Sequence, residues 1–508
     1  MSQSTLVILP NNLGDVIMAT PVLEGLRAAH PDASVSFLVE EGFESGIENS
    51  PHIDRVVRFP RKAIRSALRS DSWSGGVDML RDFRRDIDSA GYTRIVNLCQ
   101  HEFVAYLVSL LVCPDIVGRR FLREGNQAVP DTWSQYLYAI PFARRFNSLH
   151  ATDVYRRIAR VSQHRGGYTV RLSEQEMIAA RGVLAARGIP ADAARIAVFQ
   201  PGAAYPAKRW AVKQFAALGR MLLDAGWHIA VSGAPSERDI AQGISDALAG
   251  RCCVTAGETT FRQSMAIVSH AQACVTGDTA LMHAAAAFDV PTYALFGPTN
   301  PVETGPYGTG HWVFAGKCQS RPCFCVECRS MLCMKSISAR TVFSCMERGD
   351  AGADPGCDVY RTRLDVDGDC GLMPVSQGAF EYFDAAGAEM TRMTVSSDER
   401  SGKSLTTEPD RTHVGHTREF LRVLEAMTGH LDEFLRMHDV KHVTAFEQAK
   451  GQLAGIEGIG TFWSALLNLR LNSVPVLDPV TGVRWTVEEC RRTYGDIARC
   501  LRGQHAGA

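Results

Sequence analysis

The chain has 508 residues, 45% of them hydrophobic and 21% charged, with a formal net charge of −1. That length exceeds one hydrophobic core and calls for about two to four domains. The balanced charge argues against bulk attraction to nucleic acid, and no apolar run reaches the roughly 18 residues of a membrane-spanning helix.

The opening MSQSTLVILPNNLGD has neither a basic leader nor a long apolar stretch. It reads as a first strand rather than a signal peptide, so the expectation is a cytoplasmic protein. Residues 5–9 (TLVIL) are that strand, followed by a turn at Asn11-Asn12-Leu13-Gly14 and by VIMATPVLEGLRAAH, whose helical spacing stops at His30-Pro31. Residues 35–40 are a second strand and an apolar run ends at Pro60. Residues 92–98 are a further strand, and FVAYLVSLLV reads as a buried helix. The alternation restarts near residue 195. RIAVFQPG, WHIAVSG, ACVTGD and TYALFGP are strands, with the helices KQFAALGRMLLDAG, ERDIAQGISDALAG and TALMHAAAAF among them. Such alternation predicts parallel sheets covered on both faces. After Pro301 the character changes. Residues 317–372 are rich in Cys, Arg, Gly and Asp, 380–393 look like a hairpin turning near Gly387, 396–412 are polar, and 414–472 and 485–503 have helical spacing. The expected organisation is α/β: a Rossmann-like domain over 1–165, a linker over 166–194, a second Rossmann-like domain over 195–316, a Cys-rich module over 317–372 and a mainly helical extension over 373–508.

In open parallel sheets ligands bind at the carboxyl ends of the strands, so four strand-to-helix turns hold the candidate chemistry. In Asn11-Asn12-Leu13-Gly14-Asp15, the aspartate is either a helix cap or a general base at the mouth of a cleft. Between Gln200 and Trp210, Gly202, Lys208 and Arg209 suit a diphosphate, with a solvated basic loop as the alternative. After Ser232-Gly233, Glu237 suits ribose hydroxyls or, equally, the dipole at a helix start. In Thr276-Gly277-Asp278-Thr279-Ala280-Leu281 a strand runs directly into a helix whose unpaired N–H groups suit an anion. There Asp278 can equally cap, and His283, one turn in, can equally pack. In the first half, Arg61, Lys62 and Arg65 recur at helical spacing and suit phosphorylated sugars or anionic lipid, a solvated face being the plainer reading. Gln100 and His101 sit at a strand end, where His101 reads as structural before it reads as a second acid/base. Walker A, first-turn G-x-G-x-x-G and G-x-S-x-G motifs are absent from the sequence, which disfavours kinase, dinucleotide and α/β-hydrolase readings.

Eight of the fifteen cysteines fall between Cys318 and Cys370. Cys318, Cys323, Cys328 and Cys333 recur every five residues, and four thiolates can hold a structural zinc or iron tetrahedrally. The spacing is not that of the usual zinc knuckle, so packing is the alternative. Asp365-Val366-Asp367-Gly368-Asp369 hints at calcium but lacks the rest of an EF-hand and reads as a turn.

Taken together, LGDVIMATPVLEGLR (13–27), QPGAAYPAKRW (200–210), SGAPSE (232–237), VTGDTALMHAAAAFDVPTYALFGPTNP (275–301) and PCFCVECRSMLCMKSIS (322–338) resemble the heptosyltransferases of glycosyltransferase family nine, of the lipopolysaccharide inner-core type. The resemblance runs from residue 5 to about residue 347. It implies a GT-B fold, two Rossmann-like domains facing a cleft, and an inverting transfer of a heptose from an ADP-sugar to a phosphorylated glycolipid or glycan acceptor. No cofactor is implied for transfer, and the expected place of work is the cytoplasm, with peripheral association at the inner membrane. By the same resemblance Asp15 stands at the catalytic base, Lys208 at the cation facing the diphosphate, Glu237 near the ribose acid, Asp278 at the donor-site aspartate, and Thr279, Ala280 and Leu281 at the phosphate-binding helix start. Ala280 replaces the glycine common in the family. Two alternatives stand beside this reading. One is a protein-modifying, autotransporter-type heptosyltransferase with a metal-stabilised oligomer. The other is a non-catalytic GT-B scaffold, against which the joint presence of Asp15, Lys208 and Asp278 counts.

Overall fold

Two sheets organise the chain in the computed structural model, which describes residues 3–70, 73–122, 125, 127–142, 144–352, 356–375, 419–429, 441–456, 460–472 and 479–502. The first sheet contains β1 (Ser4–Ile8), β2 (Ser34–Glu40), β3 (Arg55–Phe59), β4 (Arg94–Asn97) and β5 (Asp115–Val117), parallel throughout and ordered β3-β2-β1-β4-β5. A small antiparallel ribbon, β6 (Arg120–Phe121) and β7 (Gln127–Ala128), follows. The second sheet contains β8 (Ile196–Gln200), β9 (His228–Val231), β10 (Cys253–Val254), β11 (Ala273–Gly277), β12 (Thr292–Phe296), β13 (Trp312–Gly316), β14 (Cys357–Leu364) and β15 (Cys370–Pro374). Its order is β10-β9-β8-β11-β12-β13-β14-β15, parallel as far as β13 and antiparallel beyond. Strands β8, β11 and β12 are buried at every residue, because helices cover both faces and apolar runs replace alternation.

In each sheet the chain reverses its direction of growth once, between β1 and β4 and between β8 and β11. Those are the points where a crevice opens beyond the strand ends. Strand β1 leads into helix Leu13–Met18 and β11 into helix Ala280–Ala287, and these two helices pack on each other. Gly14 makes the approach tight. A Cβ there would lie 3.0 Å from His283 Cδ2 and 3.6 Å from the Ala280 Cα. This is the GT-B arrangement, with one Rossmann-like sheet on each side of a cleft.

Several elements depart from the sequence expectation. The single helix expected over VIMATPVLEGLRAAH is two, Leu13–Met18 and Thr20–Ala29, with Pro21 in the first turn of the second. FVAYLVSLLV is not a buried helix: helix Glu102–Leu110 turns Val104, Ala105, Leu107 and Val108 inward but leaves Phe103, Tyr106 and Leu110 exposed. An apolar run broken only by Ser109 carries too little periodicity from which to read the outer face. Helix Trp73–Ser89, rich in Arg and Asp, was not foreseen. Its surface is laced by the ion pairs Arg81–Asp78, Arg84–Asp88 and Arg85–Asp82.

Residues 357–374 add β14 and β15 to the second sheet, and Asp365–Asp369 is the turn between them, with Gly368 at φ +82°. That turn reaches the first half. Arg157 holds Asp369 through two bonds of 2.9 and 2.7 Å, Arg156 donates to the Gly368 carbonyl at 3.0 Å, and the Cys370 N–H donates to Asp153 Oδ2 at 2.9 Å. In the C-terminal region residues 419–429, Lys441–Ala454, Gly460–Asn472 and Pro479–Arg502 are helical. Helix Gly460–Asn472 packs on Thr132–Ala139 of the first half. The expected hairpin over 380–393 and the polar stretch 396–412 lie outside the described residues. Among the described residues no helix is long and apolar enough to cross a membrane.

Candidate active site

The turns at the two crevices line one cleft of about 760 Å³. The first half contributes Asn12, Leu13, Gly14, Asp15 and Met18, and the second half supplies the facing wall. Asn12 is the N-cap of helix Leu13–Met18, so Asp15 is the helix's third residue and not its cap. The Asp15 Oδ2 accepts the Asn12 backbone N–H and side-chain Nδ2, each at 3.2 Å, half of a capping box. Among the described residues no hydrogen bond reaches Oδ1. Desolvation between the walls lifts the Asp15 carboxyl to about 6; the Asn12 bonds and the Lys208 charge oppose the rise, and Asp278 adds to it.

On the facing wall Lys208 Nζ pairs with Asp278 Oδ2 at 2.7 Å. Burial pushes the Asp278 carboxyl up, yet the adjacent ammonium, His283 and a Thr299 hydrogen bond outweigh it and hold the group below its ordinary value. Burial drives His283 down to about 4, so its imidazole is neutral near neutral pH; its Nδ1 lies 3.4 Å from the Tyr168 hydroxyl. Thr279, Ala280 and Leu281 line the cleft at the start of helix Ala280–Ala287, where no side chain caps the free N–H groups. Glu237 also lines it, accepting from Gln200 Nε2 at 3.0 Å and from the Ala234 N–H at 2.8 Å. Gly202 is not among the lining residues; a Cβ there would overlap the Glu237 carboxyl group. Arg209 is also off the lining and braces the loop, its guanidinium donating twice to the Ala203 carbonyl at 3.2 and 3.0 Å.

The acceptor-side candidates divide. Arg61, Arg65 and His101 border a second groove of about 490 Å³, and Arg61 pairs with Glu40 at 2.7 Å. Burial, with Arg61 adding, holds His101 below its ordinary value. Lys62 is exposed on the same helix, Arg61–Arg69, while Gln100 turns back to donate to the Leu137 carbonyl at 2.6 Å.

Among the described residues no three His, Cys, Asp or Glu side chains are arranged to hold a metal ion. Cys333 is buried and its Sγ would lie 3.2 Å from a Cβ on Gly297, Cys318 lies against the same core, Cys323 is exposed, and Cys328 pairs with Ser330 within its own loop at 3.3 Å. Cys318, Cys323, Cys328 and Cys333 are thus not gathered into a zinc or iron site among the described residues. The loop instead contributes Phe324 to the cleft wall. Arg144 of the first half lies over the Phe324 ring at 3.7 Å and pairs with Glu303 at 2.6 Å. Burial, with Asp278 and Asp15 adding and Arg144 opposing, lifts Glu303 to about 7. Neither Arg144 nor Glu303 was singled out in the sequence, where each sits in an irregular stretch with no spacing to mark it.

Residues 82–333 match the family model described as glycosyltransferase family 9 (heptosyltransferase). The chain is 29% identical over 343 residues to lipopolysaccharide heptosyltransferase 1 of Pseudomonas aeruginosa, covering 64% of this chain and 86% of that protein. It is 38% identical over 113 residues to lipooligosaccharide heptosyltransferase 2 of Haemophilus influenzae, covering 21% of this chain and 33% of that protein. The crystal structure of a family 9 glycosyl transferase from Veillonella parvula superposes with a TM-score of 0.57 at 23% identity, covering 68% of this chain and 97% of that one, a likeness of fold. With two Rossmann-like sheets facing one cleft and the Pseudomonas relative matching 64% of the chain, the chain is a glycosyltransferase similar to the heptosyltransferases of family 9.

Proposed function

We propose that the chain transfers a heptose from an ADP-sugar, with inversion at the anomeric carbon, to a hydroxyl of lipopolysaccharide core or a related surface glycan at the cytoplasmic face of the inner membrane. The observation that carries this reading is the pairing across one cleft: the Asp15 carboxylate on one wall, Lys208 and the uncapped helix start at Thr279–Leu281 on the other. An acceptor hydroxyl gives its proton to Asp15 Oδ1 as its oxygen attacks the anomeric carbon from the face opposite the leaving diphosphate. The C–O bond to the diphosphate breaks, and its electrons go to the leaving oxygen. Lys208 and the N–H groups near Thr279 and Leu281 meet that charge as it develops. Glu237 takes the ribose hydroxyls, with Gly202 giving it room. This scheme assigns no step to a metal or cofactor.

The test is Asp15→Asn. The amide keeps the size of the side chain and lacks the basic oxygen. Transfer, read as ADP release from ADP-heptose with a lipid-linked core acceptor, should fall by about 10²–10⁴-fold, while calorimetry shows ADP binding unchanged. Turnover within a few fold of the parent removes Asp15 from the base position.

A further inference from the structure

The second groove lies at the edge of an exposed apolar stripe that the transfer reaction leaves unexplained. On helix Glu102–Leu110, Phe103, Tyr106 and Leu110 follow one another at helical spacing on the outward face; Tyr106 is 52% exposed, Leu110 57% and the following Val112 73%. The stripe continues through Leu68 of helix Arg61–Arg69, which shares the groove lining with Phe103. Leu68 in turn packs against Gly76 of helix Trp73–Ser89, one turn beyond Trp73, which is 63% exposed. Single exposed apolar residues need no explanation, but a contiguous patch does.

The charge beside the stripe is one-sided. Among the described residues no carboxylate pairs with Lys62, Arg65 or Arg69, while Arg61 is neutralised by Glu40, and the acids of helix Trp73–Ser89 are taken up by Arg81, Arg84 and Arg85 of the same helix and by Arg55. Glu102 is the exposed acid at the start of the stripe's own helix. A partner matching this face must be apolar and anionic at once. A nucleic acid supplies the anion but has no use for Leu68, Leu110 and Val112. A bilayer with anionic headgroups supplies both, with Trp and Tyr at headgroup depth and Lys and Arg reaching the phosphates.

We propose that helices Arg61–Arg69 and Glu102–Leu110, with Trp73, form a docking face for an anionic lipid surface, holding the groove at the membrane where a lipid-linked acceptor lies. This deepens the transfer reading and rests on it for the acceptor, but the binding itself is measured without acceptor or donor.

The experiment is co-sedimentation of the full chain with vesicles of phosphatidylcholine alone or of phosphatidylcholine with phosphatidylglycerol, at low and high salt. Binding to the anionic vesicles should exceed binding to the neutral ones at least about tenfold and weaken with salt. Leu110→Ser combined with Val112→Ser should lower it about tenfold, and Arg69→Gln about fivefold. Thermal unfolding checks that these surface variants fold like the parent. Equal binding to both vesicle types, no binding, or variants that bind like the parent overturn the proposal. So does a dimer in light scattering that the Leu110→Ser, Val112→Ser chain fails to form, which gives the face to a second copy. Vesicle binding without transfer activity would instead strike the proposed reaction and leave the docking face standing.

Discussion

Gly202→Ala isolates a single contact and predicts its own cure. The substitution adds one methyl group where it overlaps the Glu237 carboxyl group, so the carboxyl must leave its seat. Its departure breaks the bonds from Gln200 Nε2 at 3.0 Å and the Ala234 N–H at 2.8 Å. Hydrogen bonds to a charged group contribute about 1.5–3 kcal/mol each. The displaced carboxylate regains water in the cleft, so the net loss should be near the lower bound, about 3 kcal/mol. Urea unfolding reads that loss, and donor KM reads the displaced Glu237. The same methyl group placed in a Glu237→Ala chain meets no carboxyl group, so there Gly202→Ala should cost under about 0.5 kcal/mol, a coupling of more than 2 kcal/mol between the two sites. Equal costs in both backgrounds would show that Gly202 is required for the path of the loop and not for Glu237, and the argument would fail.

Two further outcomes follow from the ion pairs. Lys208→Ala leaves Asp278 without its cation, so donor affinity should fall about 10²-fold in calorimetry, the loss of one charge-assisted contact to a diphosphate. It should also flatten stability on the acid side. Asp278 sits below its ordinary value, so its contribution is present at neutral pH and lost as pH falls through the acid range; without Lys208 that acid-side loss should shrink. Arg157→Met removes the two bonds to Asp369 and should cost about 3–5 kcal/mol in urea unfolding, with hydrogen exchange rising first at residues 365–370, where the turn between β14 and β15 clasps the first half.

The two alternating sheets and the four site turns were legible because each rests on local chemistry: apolar runs bounded by glycine turns, and a carboxylate or cation at a strand end. The roles of neighbouring residues were less legible. Gly202 read as a phosphate-approach glycine, but its absent side chain makes room for Glu237, thirty-five positions on. Asp15 read either as a cap or as a general base; Asn12 takes the cap position, and its bonds engage only one of the two carboxyl oxygens. The even spacing of Cys318, Cys323, Cys328 and Cys333 suggested a metal, yet spacing along an irregular loop does not fix where side chains point, and Cys333 is buried under the second sheet while Cys323 faces outward. Arg144, Glu303 and Phe324 come from three separate segments and meet only after folding, so no local signal could have joined them.

The cleft's charge also sets how the reaction should respond to pH. A base must be ionised to take the acceptor's proton, and Asp15 titrates at about 6 in the free protein. Below that value log kcat/KM should therefore fall by one unit per pH unit, and above it the profile should level off. Donor binding moves the group further. Of the charges around Asp15, Lys208 lowers its pKa and Asp278 raises it, and the two are paired with each other. A diphosphate seated on Lys208 adds negative charge to that wall and claims part of the lysine's influence, and the bound sugar removes water. Each change favours the protonated carboxyl. One net charge several ångströms away across a partly wet cleft is worth about one pKa unit. The acid limb of kcat, which reports the donor-bound form, should then lie about one pH unit above that of kcat/KM. Both limbs should vanish in Asp15→Asn. A kcat limb at or below the kcat/KM limb would mean that the group being titrated does not face the donor, and Asp15 would have to be replaced as the base.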